Sequence, residues 1–163
     1  MNRGEKNKPI RGLSERARLL QVCALLNKER AKYLVIGAHA LTLHGIVRAT
    51  TDVDILIPKD MKNTEKILKA LEGLGFGISK ELDADEVSKK PWTIIGDIPR
   101  VDLLTVACRV KYEDAFLTAL KTKIDGVNVP YVDYQTLVRT KQTDRLQDKA
   151  DIQRLKEIHK KVS

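Results

Sequence analysis

The chain has 163 residues, of which 42% are hydrophobic and only 4% aromatic, so length and composition predict one domain with an aliphatic core. No apolar run approaches the ~18 residues needed to cross a bilayer, and no apolar signal region follows the basic residues 1–12. We expect a flexible tail over residues 1–12, a single domain over 13–163, a cytoplasmic location and no membrane partner. The net charge of +8 favours anionic partners such as nucleotides or nucleic acid, although a solvated surface rich in Lys and Glu explains it equally well.

The cysteines and histidines give no pattern typical of a disulfide framework or a zinc site. Cys23 and Cys108 both lie within apolar segments, which predicts small buried residues in a reducing compartment. The three histidines, His39, His44 and His159, have no metal-ligand spacing with either cysteine, so zinc is not expected.

The first half of the chain alternates helix and strand patterns. Ser14 and Asp60 are candidate helix N-caps, because their side-chain oxygens can accept from free backbone N–H groups. The pattern predicts helices over residues 13–31, 38–44 and 60–74, strands over 33–37 and 53–57, a short strand over 76–79, and a loop or frayed helical turn over 80–90.

The second half predicts two hairpins followed by two helices. Strands over residues 92–96 and 100–106 flank a turn at 97–99, and Asp125-Gly126 is a turn signal between short strands at 123–124 and 127–129. A helix is expected over 112–120, another from the Asp133 cap to about 142, and a last one from 145 to about 161. The predicted fold class is therefore α+β: a mixed β-sheet with flanking helices and a helical C-terminal end.

Two carboxylates share one face of the predicted second strand. Asp52 and Asp54 are two positions apart, so their side chains point the same way while the intervening valine points into the core. Their repulsion is relieved when Mg²⁺, which prefers oxygen ligands, lies between them. Asp102, flanked by apolar residues on a neighbouring predicted strand, is the best candidate for a third ligand. Three carboxylates can hold two metal ions about 4 Å apart.

A glycine at the junction of strand and helix accompanies these carboxylates. Gly37 follows an apolar strand and precedes a short helix, so backbone can approach a phosphate closely and free N–H groups can bind it. Arg48 lies between this helix and the acidic strand and can neutralise a phosphate oxygen with its planar guanidinium.

Together these features resemble a known family. Ile36-Gly37-Ala38 followed by Asp52-Val53-Asp54 is similar to the motif of minimal nucleotidyltransferases of the polymerase-beta-like superfamily. With His44-Gly45, Arg48 and Thr50, the segment is most similar to the branch that includes abortive-infection-type toxin nucleotidyltransferases.

This resemblance implies roles for the matching residues. Two Mg²⁺ ions would bind Asp52 and Asp54, and Asp102 would be the third carboxylate and assist deprotonation of the acceptor hydroxyl. The residues implied to bind nucleotide are Gly37, Ala38, Arg48, Thr50, Lys141 and Arg145. Many active relatives have Ser or Gly where this chain has Ala38, so the side-chain hydroxyl that would bind phosphate is missing while the backbone N–H remains.

The C-terminal segment from residue 137 to 151 resembles the family's Lys, Arg and Lys-Asp pattern. Lys141 could reach the nucleotide phosphates with support from Arg145. The alternative is a charged helix surface in which Arg145 pairs with Asp148, and Asp151 would then cap the helix or buffer these cations. His39 could contact nucleotide but fits a partly buried helix position better, as does His44; Trp92 fits a hydrophobic contact better than base stacking.

Two classes of function remain open. The first is an enzyme that moves an NMP group from an NTP to a hydroxyl of a protein, tRNA or small molecule. At this length a second copy of the chain or a partner protein could supply the acceptor surface, and a toxin with an antitoxin-like partner would use the same chemistry. The second is a non-catalytic module of the same fold that binds nucleic acid or a partner protein, which Ala38 favours.

Overall fold

A computed structural model describes residues 14–75 and 81–162. The tail expected over 1–12 and the short strand expected over 76–79 lie outside the described residues. Within the described ranges, none of the helices combines the length and the apolar character needed to cross a lipid bilayer.

The described strands are β1 (Leu34–Ile36), β2 (Asp52–Leu56), β3 (Trp92–Ile95), β4 (Arg100–Leu104), β5 (Leu120–Ile124) and β6 (Val127–Tyr131). They form one sheet in the order β3-β4-β2-β1-β6-β5. β2 runs parallel to β4, and β1 runs parallel to β6, whereas β1–β2, β3–β4 and β5–β6 are antiparallel. The sheet is therefore mixed, as predicted, and β2 lies between β1 and β4.

Helices flank the sheet and close the C-terminal end. The predicted N-caps are confirmed, because the side chains of Ser14, Asp60 and Asp133 each accept from a backbone N–H two or three residues later, at 2.9–3.1 Å. Each bond satisfies a donor that the first helical turn leaves free. The helices are α1 (Glu15–Lys28), α2 (Gly37–Leu43), α3 (Met61–Leu71), α4 (Ala84–Lys89), α5 (Tyr112–Phe116), α6 (Tyr134–Thr140) and α7 (Leu146–Val162).

The core is aliphatic, as the composition predicts. Val53, Ile55 and Ile57 are fully buried, while Asp52 and Asp54 alternate with them along β2. Burial of each such side chain contributes roughly 1.5–3 kcal/mol. The period-two pattern of β2 therefore anchors one set of side chains in the core and presents the carboxylates on the other face.

The structure corrects three local predictions. Residues 84–89 form a regular helix, capped by Asp83, where a loop or a frayed helical turn was expected. The helix predicted over 112–120 ends at Phe116, and Leu120 already begins β5. Cys23 is buried as expected, but Cys108 is exposed. The reason is a tight turn in which Cys108 and Arg109 both have positive φ angles, which directs position 108 away from the apolar alternation of β4.

Candidate active site

Four charged side chains form a two-by-two block on β2 and β4. In the parallel register Asp52 is opposite Arg100, and Asp54 is opposite Asp102. Side chains two positions apart share a face, and neighbouring strands lie about 4.8 Å apart. The structure therefore brings Asp52, Asp54 and Asp102 together, as the sequence predicted.

Asp54 is the carboxylate most affected by this arrangement. Burial is the main cause that raises its pKa to about 8, followed by a hydrogen bond with Asp102 and the negative charges of Asp102 and Asp52. The positive charge of Lys141 opposes the rise. Burial and the neighbouring carboxylates therefore favour the protonated form of Asp54.

Arg100 completes the block and is a residue that the sequence interpretation missed. Its Nε lies 2.9 Å from Asp102 Oδ1 and 4.0 Å from Asp52 Oδ2, and its Nη2 lies 3.4 Å from Asp102 Oδ2. The guanidinium carbon lies 5.8 Å from the centre of the Trp92 ring, which is half exposed. The i, i+2 spacing of Arg100 and Asp102 on one strand was the signal that could have identified this partner.

The three carboxylates and Arg100 together determine how the block can bind a metal ion. In the part of the chain that the structure describes, no three His, Cys, Asp or Glu side chains stand ready to hold a metal ion. The Arg100 guanidinium binds Asp102 and faces Asp52 in this block. The donor set itself consists only of carboxylate oxygens, and the charges of Asp102 and Asp52 add to the effect of burial in raising the pKa of Asp54. Asp52, Asp54 and Asp102 therefore fit Mg²⁺ in chemistry.

Gly37 lies directly against this block. Its preceding residue, Ile36, is opposite Asp54 in the β1–β2 register, and its φ angle is +70°. A β-carbon at position 37 would lie 3.0 Å from Asp54 Cβ and Cγ and would overlap Oδ2. The glycine is thus required both by backbone conformation and by its contact with a carboxylate.

A cleft of about 420 Å³ opens beside the block. Its walls include most of the residues predicted to act on nucleotide, and Asp52 and Asp102 extend the acidic face beyond it. The predicted residues that line the cleft are Gly37, Ala38, Arg48, Thr50, Asp54, Lys141 and Arg145.

The cations of the cleft are bound to acidic residues of α7. Arg48 and the Lys141 Nζ both bind Asp151, the latter at 3.1 Å, and Lys141 also lies 3.7 Å from Asp148. Burial lowers the pKa of Lys141, an effect that the Asp148 charge opposes. Arg145 is 76% exposed and lies 3.8 Å from Asp148, so the predicted Arg145–Asp148 pair is confirmed.

Thr50 lines the cleft but binds the chain itself. Its hydroxyl accepts from the Asp52 N–H at 3.0 Å and lies 3.3 Å from the Asp52 carbonyl oxygen. The structure therefore places Thr50 at the start of β2, where it fixes the backbone that carries the first carboxylate.

The two helix histidines occupy the partly buried positions expected for them. His39 is buried, and burial lowers its pKa. The Nε2 of His44 lies 2.8 Å from the Val132 carbonyl oxygen. His39 also borders a second, mainly apolar cavity of about 480 Å³, which shares Arg48 with the cleft.

Comparisons with known proteins agree with this fold. No protein-family model matches the sequence, and no curated protein matches it. The solved structure of the lincosamide antibiotic adenylyltransferase LnuA, lincomycin-bound, is similar with a TM-score of 0.60 and 13% sequence identity, over 89% of this chain and 98% of that chain. This chain therefore has an α+β fold of the kind found in a nucleotidyltransferase, with a mixed sheet, flanking helices and a C-terminal helix.

Proposed function

We propose that this chain is a nucleotidyltransferase, which transfers an NMP group from an NTP to a hydroxyl group and releases pyrophosphate. The observation that carries the proposal is the register of β2 and β4, which sets Asp54 opposite Asp102 with Asp52 on the same face. The likeness to an adenylyltransferase structure supports the same class of reaction. The proposal depends on the carboxylates as well, because one fold can host several functions.

The walls of the cleft combine exposed backbone with positive charge, both of which suit the binding of a triphosphate. Gly37 and Ala38 bring backbone without bulky side chains to its wall, and Arg48, Lys141 and Arg145 supply positive charge. A methyl group at position 38 leaves phosphate binding there to backbone and to these cations. In this proposal the phosphates bind between the cationic side of the cleft and the carboxylates.

The carboxylates would hold Mg²⁺ through Asp52, Asp54 and Asp102. When bound, Mg²⁺ would neutralise charge on the phosphates and the carboxylates and lower the pKa of the attacking hydroxyl. Loss of the Asp54 proton accompanies this, because the acid form cannot serve as a ligand.

Asp102 is placed to take the acceptor's proton. In the proposed step the acceptor oxygen bonds to the α-phosphorus while its proton moves to the Asp102 carboxylate. The bond from the α-phosphorus to the bridging oxygen breaks, and pyrophosphate leaves with the electron pair. Arg100, at 2.9 Å from Asp102 Oδ1, orients this carboxylate before substrate binds.

The acceptor classes we consider are a small molecule, a tRNA and a protein. The mainly apolar cavity of about 480 Å³ that shares Arg48 with the cleft favours a small hydroxyl-bearing molecule, since cavities of this size and lining suit ligands of drug or nucleoside size. A similar structure bound to lincomycin supports the same class.

A non-catalytic module of the same fold is the second candidate. The observation that favours it is the pairing of Arg100 with Asp102 and Asp52, which neutralises carboxylates without metal. Titration calorimetry with each NTP, with and without Mg²⁺, separates the two functions. Metal-dependent NTP binding that Asp54→Asn abolishes supports the enzyme, whereas metal-independent RNA binding that survives Asp54→Asn supports the module.

A further inference from the structure

Asp151 on α7 is fully buried and binds two cations of the cleft at once. One carboxylate oxygen, Oδ1, accepts from Arg48 and from Gln147 Nε2, the latter at 3.2 Å, and the other, Oδ2, accepts from Lys141 Nζ at 3.1 Å. Asp151 has no exposed surface and does not line the cleft, whereas Arg48, Lys141 and Gln147 do. The carboxylate therefore lies behind the cations, where a phosphate cannot displace it.

This contact joins segments that are distant in the chain. Arg48 belongs to the loop between α2 and β2, and Lys141 ends α6, so neither cation is held by a long element of its own. The buried carboxylate fixes both through charge-assisted hydrogen bonds, and the Lys141 side chain that it binds is only 9% exposed. Loss of the Asp151 charge removes this ion-pair partner of Arg48 and leaves Lys141 with Asp148, at 3.7 Å.

We propose that Asp151 is a positioning residue for polyphosphate: it holds Arg48 and Lys141 at the cleft so that they bind the phosphates of the incoming nucleotide. The inference rests on the proposed function for the identity of the ligand, and it names a residue that acts on nucleotide without touching it. Asp151→Asn keeps the shape of the side chain and removes its charge. In this variant Arg48 and Lys141 are no longer held in position at the cleft, whereas the positions of the carboxylates on β2 and β4 do not change.

The test measures two ligands on each variant. Inorganic tripolyphosphate with Mg²⁺ reports on the cations, and Mn²⁺ alone, followed by electron paramagnetic resonance, reports on the carboxylates. We expect Asp151→Asn to weaken tripolyphosphate binding at least tenfold and to change Mn²⁺ binding less than twofold. Gln147→Ala, an exposed and milder change, should weaken tripolyphosphate binding about twofold, and Gln153→Ala, exposed on the same helix and outside the cleft, should leave it unchanged.

If Asp151 acts by positioning Arg48, the effects of Asp151→Asn and Arg48→Met on tripolyphosphate affinity should not be additive. In an Arg48→Met background, Asp151→Asn should cost much less tripolyphosphate affinity than it does alone. Equal affinity of wild type and a folded Asp151→Asn, full additivity with Arg48→Met, or no binding of tripolyphosphate by wild type would each overturn the inference. If Asp151→Asn does not fold, Gln147→Ala decides, and an unchanged affinity there overturns it as well.

The two proposals fail in different ways. NMP transfer by wild type together with unchanged tripolyphosphate binding in Asp151→Asn would reject only the role of Asp151. Loss of tripolyphosphate binding in Asp151→Asn without any NMP transfer by wild type would support the role of Asp151 and reject the enzyme.

Discussion

Gly37 and Asp54 are packed so closely that a β-carbon on the glycine would lie 3.0 Å from the Asp54 Cβ and Cγ atoms and overlap its carboxylate. The contact follows from the β1–β2 register, in which the residue before Gly37 is opposite Asp54. The glycine turn and the acidic strand, two separate signals in the sequence, thus form a single unit. A change in the turn is expected to move the carboxylate.

Gly37→Ala should abolish metal-dependent NTP binding. Gly75→Ala is the matched control, because Gly75 has a similar φ angle of +81° but no atom of the described residues lies within 4 Å of the position that its β-carbon would take. Both variants should lose about 1–2 kcal/mol of stability to the left-handed backbone, and Gly37→Ala should lose more because of the overlap with Asp54. Thermal unfolding and NTP titration of both variants measure this; equal behaviour of the two would contradict the role of the Gly37–Asp54 contact.

Asp54→Asn should change how stability depends on pH. The folded pKa of about 8 lies above the ordinary value of 3.8 for an aspartate, so between about pH 4 and pH 8 the folded state retains a proton that the unfolded state has lost. The stability of the metal-free protein should therefore fall as pH rises through this window. Asp54→Asn lacks this pH-dependent contribution. Above pH 8 its free energy of unfolding should therefore exceed that of wild type by on the order of a few kcal/mol.

Urea unfolding of metal-free protein at pH 5, 7 and 9 measures the effect. The charge-matched control is Glu65→Gln, an exposed residue of α3, which should follow the wild-type profile. A parallel profile for Asp54→Asn and wild type would mean that Asp54 is already ionised at neutral pH.

Arg100→Met should increase the affinity for Mn²⁺ several-fold. The guanidinium binds Asp102 at 2.9 Å and faces Asp52 at 4.0 Å, so it competes with a metal ion for the same oxygens. Arg16→Met removes an exposed arginine with a 3.5 Å partner, Asp125, outside the carboxylate block and serves as the control. Titration with Mn²⁺ measures the change; weaker Mn²⁺ binding in Arg100→Met would show that Arg100 assists the metal site instead.

The long elements could be predicted from the sequence because local physics determines them. Periodic apolar residues mark α1, α3 and α7, and side-chain caps mark the starts of α1 and α3. Alternation from Asp52 to Ile55 marks β2. Predictions were wrong where the tertiary fold decides. Leu120 leaves its helix pattern to pair with Tyr131 in the β5–β6 hairpin, and positive φ angles turn Cys108 outward.

The acidic part of the site could be predicted for the same reason, since i, i+2 spacing fixes a shared strand face. The acidic partners of Arg48 and Lys141 could not be predicted from the sequence. Arg48 and Asp151 are 103 positions apart, and nothing local links them. The backbone bond of the Thr50 hydroxyl to Asp52 was not predicted either, and the role of Thr50 in nucleotide binding stays a prediction. The toxin branch, an antitoxin-like partner and a homodimer stay predictions.

The most direct test of the central claim is transfer of label from an NTP labelled at the α-phosphate, compared with the same NTP labelled at the γ-phosphate. Each is incubated with Mg²⁺ and fractions of small molecules, RNA or protein. We expect the α label alone to appear on an acceptor with wild type and with Glu65→Gln, and no label with Asp54→Asn. Transfer of the γ label, no transfer by wild type in any fraction, or full transfer by Asp54→Asn would contradict the proposed reaction.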